Sequence, residues 1–187
     1  MRWFWEGILR LGRWKTVGEV PPLPKMVIIG APHTSNWDFP IGMLAARALG
    51  VKIRFLGKHT LFRPPFGWFF RMLGGIPVDR SRPGGIIGQI GEAFASTDRL
   101  TMVIAPEGTR SHRPYWKSGF YEIARAAGVP VVLAPIDAGR RQVLVGPTLE
   151  TTGDVAADMD RIRPFYEGIP GIKPEKAGTV RLRAENE

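Results

Sequence analysis

Three short runs of apolar, mostly β-branched residues, separated by segments with helical periodicity, constrain the fold of this chain most. The runs are MVIIG at 26–30, LTMVIA at 100–105 and VPVVLAP at 129–135. Such runs are typical of strands buried on both faces, which occur where helices cover both sides of a parallel sheet. The sequence therefore predicts an α/β fold with a mostly parallel, mixed central sheet flanked by helices.

The remaining apolar patterns add further strands and helices. We predict strands at 51–56, 76–78 and 142–145, and helices at 39–49, 64–73, 86–95, 117–127 and 154–166. Gly50 and Gly128 directly follow two of these helices, where a left-handed residue commonly ends a helix. Because no internal repeat or linker divides the chain, we expect residues 21–187 to form a single domain, preceded by an amphipathic helix within residues 1–20.

Composition excludes several classes of protein. The 187 residues include no cysteine, which excludes disulfide scaffolds, thiol nucleophiles, zinc fingers and iron–sulfur clusters. The three histidines, His33, His59 and His112, lack the spacing of metal ligands, so we expect no metal site. With 26 basic and 17 acidic residues the net charge is +9, which favours an acidic partner such as nucleic acid, anionic lipid or a phosphorylated substrate. No apolar run is long enough for a spanning helix and no secretory signal is evident, so a cytoplasmic protein is expected.

The first fifteen residues carry an unusual amphipathic pattern. At 3.6 residues per turn, one narrow stripe is polar and the rest of the surface is apolar and largely aromatic. The stripe contains Arg2, Glu6, Arg10 and Arg13; the apolar surface contains Trp3, Phe4, Trp5, Ile8, Leu9, Leu11 and Trp14. Such a helix can lie in a lipid interface, or it can dock on the core of the domain, and the pattern leaves both interpretations open.

The segment APHTSNWD at 31–38 contains the first candidate for chemistry. It follows a predicted strand and precedes a predicted helix, and catalytic groups in α/β folds lie on such loops. If His33 lies in the loop and Asp38 opens the helix, the carboxylate can hold one imidazole nitrogen while the other accepts a proton. Alternatively, Asp38 serves only as a helix N-cap and His33 only as a hydrogen-bonding residue.

A second candidate is APEGTRS at 105–111, directly after the buried strand at 100–105. Gly108 allows close backbone approach, and the planar guanidinium of Arg110 suits phosphate oxygens. Together with Glu107, these residues can bind a polyol and a phosphate. The alternative is an ordinary turn with a solvated ion pair.

Two basic segments complete the set of candidates. GGIPVDRSR at 74–82 places Arg80 and Arg82 after a short predicted strand, where they can bind an anion or form surface pairs with Asp79. The segment 58–71 begins with Lys58 and is rich in bulky apolar residues. These side chains can line an acyl groove, contact lipid, or pack in the core.

In this order and spacing, the segments resemble the glycerolipid acyltransferase family. His33 and Asp38 match its His-x4-Asp motif, and residues 75–80, 106–111 and 129–135 are similar to its three further blocks. The resemblance implies acyl transfer from acyl-CoA or acyl carrier protein to a hydroxyl of a lysophospholipid-type acceptor, without a cofactor. It implies that His33 is the general base and Asp38 its orienting partner. The acceptor-binding residues implied by it are Gly75, Arg80, Glu107 and Gly108, to which we add Arg110 and Lys58.

The resemblance also implies a place for the protein in the cell. An acyltransferase of this family acts in phospholipid biosynthesis, so we expect a cytoplasmic, peripheral protein on an anionic membrane surface, at the inner face of the membrane. Two other functions remain open on the sequence alone. One is a basic nucleic-acid-binding module, although no nucleic-acid-binding motif is present, and the other is an inactive acyltransferase-like scaffold that binds lipid.

Overall fold

The computed structural model describes residues 2–78 and 85–186. The strands are β1 (Lys15–Val17), β2 (Lys25–Ala31), β3 (Ile53–Lys58), β4 (Gly75–Val78), β5 (Leu100–Ile104), β6 (Val131–Asp137), β7 (Gln142–Leu144) and β8 (Thr148–Leu149). The α-helices are α1 (Arg2–Leu11), α2 (Asp38–Ala48), α3 (Gly67–Met72), α4 (Gly85–Ala95), α5 (Gly119–Ala127) and α6 (Val155–Ile162). Short 3-10 helices cover His59–Phe62, Arg163–Phe165, Pro174–Lys176 and Arg183–Asn186.

The strands of the described residues form one eight-stranded sheet. Its order is β1-β7-β6-β2-β5-β3-β4, and β8 pairs with β6. Strand β2 is parallel to both β5 and β6, and β3 is parallel to both β4 and β5. The two antiparallel pairings join β6 to β7 and to β8. This architecture confirms the predicted α/β fold with a mostly parallel, mixed sheet.

Strand β2 shows why its sequence is apolar at every position. Val27 and Ile29 belong to the large core cluster shared with α4, α5 and α6, whereas Met26 and Ile28 belong to a cluster on the opposite face. Helices α1 and α2 pack on that second side, where Leu9 meets residues of α2, β6 and β7. Layers on both faces thus exclude water from the central strands, as their composition predicts.

Most predicted elements lie within two residues of the observed ones, and the larger differences have local causes. Two prolines, at 64 and 65, precede α3, which begins at Gly67 instead of residue 64. The last predicted helix ends early, because Pro164 introduces a 3-10 turn after Ile162. Strands β1 and β8 lie outside the predicted elements, because neither KTV at 15–17 nor TL at 148–149 contains an apolar run.

Helix α1 docks on α2 and still exposes an apolar face. Leu9 is buried, the Arg2 Nε donates to the Ala48 carbonyl at 3.0 Å, and the Arg47 guanidinium lies over the Trp5 ring. The docked interpretation of the N-terminal pattern is therefore correct for one face. On the other face, three large apolar side chains point to solvent: Trp3, Phe4 and Leu11. Among residues 2–78 and 85–186, no helix has the length and hydrophobicity needed to cross a bilayer.

Candidate active site

Several of the candidate residues meet at the carboxyl edge of the sheet. The loop after β2, residues 32–37, is here called the His33 loop, and the loop after the neighbouring β5 contains Glu107. Lys58 is the last residue of β3, which pairs with β5. Adjacent parallel strands thus bring together side chains that are distant in sequence. Arg80, with Asp79 and Arg82, lies outside the described residues.

The structure brings His33 and Asp38 into contact. The His33 Nδ1 and the Asp38 Oδ2 are 3.2 Å apart, and the imidazole is 26% exposed whereas the Asp38 side chain is 2% exposed. With Nδ1 directed at the carboxylate, the Nε2 atom carries the free lone pair of a neutral imidazole. The pair therefore has the geometry of a proton acceptor oriented by a buried carboxylate.

Asp38 does not act as the N-cap of its helix. Trp37 occupies that position, without a capping side chain, and Asp38 is the first helical residue. Its Oδ2 instead accepts hydrogen bonds from the backbone N–H groups of Thr34 and Ser35, both at 2.7 Å. The carboxylate thus organises the His33 loop as well as the imidazole, and the simple N-cap alternative is wrong.

Glu107 lies beneath the His33 loop. It is 2% exposed, and its Oε1 accepts a hydrogen bond from the backbone N–H of His33 at 2.9 Å, across 74 residues of sequence. Burial raises the pKa of the Glu107 carboxyl above its ordinary value, and the hydrogen bond from the His33 N–H opposes this effect. Its Oε2 is buried and has no hydrogen-bond partner among the described residues. Glu107 therefore contacts the backbone that carries the imidazole.

The remaining residues of the β5 loop form a basic surface. Gly108 is exposed and has a φ of 61°, in the left-handed region that favours glycine. A methyl group added there would lie 2.8 Å from the Lys117 Nζ. Lys117 precedes α5, and its N–H donates to the Pro106 carbonyl at 2.8 Å. Sequence analysis named Arg110 but missed Lys117, whose only signal is its position just after the APEGTRS segment.

Lys58 lies at the carboxyl edge of the sheet, whereas Gly75 does not. Gly75 is the first residue of β4, it is buried, and an added methyl group would lie 2.8 Å from both the Phe62 ring and the Phe70 carbonyl oxygen. The position requires glycine because the Phe62 ring fills the space between Gly75 and Gly57. Lys58, Arg110 and Lys117 are all exposed, and within the described residues none of them pairs with a carboxylate.

Tyr166 supports the strand that leads into the His33 loop. Its buried hydroxyl donates to the Ile29 carbonyl at 2.9 Å and accepts from the Ala134 N–H at 3.1 Å, so it bridges β2 and β6. Burial raises the pKa of Tyr166 well above its ordinary value, so the hydroxyl stays protonated. In the described part of the chain, no group of three or more His, Asp or Glu side chains is arranged to hold a metal ion.

Comparisons with known proteins identify the family of the chain. The family model described as Acyltransferase matches residues 16–136, more than half of the chain. The 1-acyl-sn-glycerol-3-phosphate acyltransferase of Streptococcus pneumoniae is 33% identical over 116 residues, which are 61% of this chain and 42% of that protein. The chain thus spans less than half the length of this relative.

A solved structure shows the same fold. The crystal structure of the 1-acyl-sn-glycerophosphate (LPA) acyltransferase, PlsC, from Thermotoga maritima superposes with a TM-score of 0.57 at 19% identity. The superposition covers 81% of this chain and 68% of that one. The family match includes His33, Asp38 and Glu107, which the fold gathers at one edge of the sheet. The chain belongs to the glycerolipid acyltransferase family, as the resemblance noted in its sequence predicts.

Proposed function

We propose that this protein transfers a fatty acyl group from a thioester, acyl-CoA or acyl carrier protein, to a hydroxyl of a lysophospholipid-type acceptor. The observation that carries the proposal is the His33–Asp38 pair, whose buried carboxylate orients an imidazole that remains reachable from solvent. The family match and the two similar acyltransferases support the reaction class. The net charge of +9 suits nucleic acid as well as anionic lipid, but the His33–Asp38 pair and the family match favour acyl transfer.

The proposed reaction needs a single displacement. The Nε2 of His33 takes the proton of the acceptor hydroxyl while the oxygen attacks the thioester carbonyl, which gives a tetrahedral intermediate. The carbon–sulfur bond then breaks, and the thiolate takes the proton from the imidazolium to leave as a thiol. Asp38 stabilises the imidazolium and fixes the ring orientation. No covalent acyl-enzyme is required, which agrees with a chain that has no cysteine.

Cations on strand ends and loops of the same sheet edge form the proposed acceptor site. Lys58, Arg110 and Lys117 are exposed. Lys58 is the last residue of β3, and the other two lie in the loop between β5 and α5. A phosphate group next to the reacting hydroxyl matches this charge, because Arg and Lys are its usual partners. Family resemblance adds Arg80 to the set. Glu107 acts from beneath the loop in this proposal, and Gly75 contributes packing.

We also propose that the protein works at an anionic membrane surface on the cytoplasmic side. The exposed apolar face of α1 is one contact surface. The segment 59–72 offers another, since Phe66, Trp68 and Met72 are largely exposed there. The net charge of +9 adds attraction to anionic lipid. Both acceptor and product would reside in the same membrane.

An acceptor panel tests the proposal most directly. The protein is incubated with isotope-labelled acyl-CoA or acyl carrier protein thioesters of several chain lengths and with lysophospholipids of different head groups. Mass spectrometry then identifies any acylated product. We expect transfer by the wild type and none by the His33→Ala variant at an unchanged melting temperature. Full activity of that variant would remove His33 as the base, and lipid binding without any product would favour the inactive scaffold.

A further inference from the structure

The chain that follows the last α-helix returns to the His33 loop. The backbone N–H of Lys173 donates to the Thr34 Oγ1 at 3.1 Å, a contact between residues 139 positions apart. Thr34 directly follows His33 and is 1% exposed. This segment lies beyond residue 136, where the family match ends. The sequence blocks that identify the family therefore do not contain this contact.

Thr34 is held from two directions. Its own N–H donates to the Asp38 Oδ2 at 2.7 Å, and the same oxygen contacts the His33 imidazole. Its hydroxyl accepts from Lys173 on the other side. The residue that links the imidazole to its carboxylate partner is thus fixed both from within the loop and from the C-terminal segment.

Gly171 closes the space around this threonine. It is buried, and a methyl group added to it would lie 2.5 Å from the Thr34 Oγ1, 2.7 Å from Cγ2 and 3.2 Å from the Pro32 Cγ. The first two distances are shorter than contacts that real side chains make. A side chain at Gly171 therefore requires a shift of Thr34, of the His33 loop that carries it, or of residues 170–173.

The C-terminal segment is itself anchored to the core. The Ala138 N–H, just after β6, donates to the Pro170 carbonyl at 3.0 Å. Ile172 packs against the cluster formed by α1, α2, β6 and β7, which includes Leu9 and Ile136. Residues 170–173 are therefore tied to two rigid elements, and a rigid support can fix the position of a loop that it contacts.

We propose that residues 170–173 form a brace that positions His33 for proton transfer, with Thr34 and Gly171 as its positioning residues. The proposal rests on the proposed role of His33 as general base. The brace sets the orientation of the imidazole relative to the acceptor hydroxyl. A displacement of about 1 Å at such a position is enough to reduce a rate up to a hundredfold, because the reacting atoms must be aligned.

Three variants test the brace. Thr34→Val keeps the shape and removes the acceptor, Thr34→Ser keeps the acceptor, and Gly171→Ala pushes the loop without touching any side chain of the pair. Gly42→Ala in α2 is the matched control, because a methyl group there meets nothing within 4 Å. Each variant is assayed with 1-acylglycerol 3-phosphate and acyl thioesters of CoA and acyl carrier protein.

We expect kcat to fall about tenfold or more in Thr34→Val and Gly171→Ala. The KM for both substrates should change little, because the substrate-binding groups are untouched. The melting temperature should fall in both variants, because Thr34→Val leaves the Lys173 N–H without its acceptor and Gly171→Ala adds a methyl group to buried space. All rates are therefore compared at a temperature at which every variant is fully folded. Thr34→Ser should recover kcat to within about twofold, and Gly42→Ala should match the wild type.

A second readout does not depend on activity. Nitrogen-15 spectra of the imidazoles report the His33 Nδ1–H, which is assigned by its absence in His33→Ala. This proton should exchange with water faster in Thr34→Val and Gly171→Ala than in the wild type and in Thr34→Ser.

The outcomes separate the brace from the proposed reaction. If His33→Ala is inactive while Thr34→Val and Gly171→Ala keep wild-type kcat, the brace is refuted and the reaction stands. If Thr34→Ser falls as far as Thr34→Val, the hydroxyl is not the positioning group and the brace is refuted. Activity in His33→Ala would refute both.

Discussion

The buried carboxyl of Glu107 predicts an unusual dependence of stability on pH. Its pKa is raised in the folded protein above the ordinary value of 4.5, because burial disfavours the charged form. Well below pH 4.5 the group is neutral in both the folded and the unfolded chain. As the pH rises towards the raised pKa, the unfolded chain loses its proton first and is stabilised relative to the folded one. The wild type therefore loses stability over this interval.

The size of the effect follows from the same linkage. Relative to Glu107→Gln, which has no proton to lose, the free energy of unfolding of the wild type should fall by about 1.4 kcal/mol per pH unit at most. The difference becomes constant once the pH exceeds the raised pKa. Glu107→Gln keeps an oxygen for the His33 N–H. Glu107→Ala leaves that N–H without its acceptor, which should cost about 1–3 kcal/mol.

Urea unfolding from pH 4.5 to pH 8 measures these differences. The free energy of unfolding of the wild type, relative to that of Glu107→Gln, should decrease as the pH rises towards the raised pKa and then stay constant. Glu122→Gln, at an exposed position on α5, is the matched control and should follow the wild type. If the free energy of unfolding of the wild type instead rises relative to that of Glu107→Gln with increasing pH, the reasoning is refuted, because the fold would then stabilise the carboxylate.

Further predictions concern the pair, the acceptor site and the membrane. Asp38→Asn should reduce kcat roughly a thousandfold or more, because an amide does not hold the imidazole in its required tautomer, and steady-state assays measure this. Lys117→Ala should raise the KM for a phosphate-bearing acceptor and leave kcat within about threefold, as acceptor titrations would show. Trp3→Ser with Leu11→Ser should weaken co-sedimentation with anionic vesicles, whereas Ile87→Ser, at an exposed position on α4, should not.

The central fold was predictable because its strands are buried on both faces. Burial of Val27 and Ile29 on one side and of Met26 and Ile28 on the other requires an uninterrupted apolar run, which is a strong local signal. Helix α5 was equally readable, since Gly128 ends it with a φ of 60°. The edge strands β1 and β8 were not, because partners elsewhere in the chain create them.

The candidate site was predictable only where its contacts are local. His33 and Asp38 are five positions apart, and a strand–loop–helix interpretation of 26–49 allows them to meet while leaving the N-cap alternative open; the structure shows the contact. The contact made by Glu107 was not predictable in this way. Its motif marks it as a residue of the site, yet its contact with the His33 N–H depends on β2 and β5 being neighbours in register. Spacing along the chain carries no information about such a contact.

The support of the His33 loop also explains why the C-terminal segment was not recognised. The loop has no regular secondary structure, so its N–H groups and side chains need partners from elsewhere. Asp38 supplies an acceptor from the next helix, Glu107 an acceptor from the loop after a neighbouring strand, and Lys173 a donor from the C-terminal segment. These partners lie progressively farther from the loop along the sequence. The most distant is the backbone N–H of Lys173, so that contact does not involve the lysine side chain. The side chain at position 173 can therefore vary while the segment still holds the loop, provided that Gly171 leaves room for Thr34 and Ile172 keeps its packing against the core.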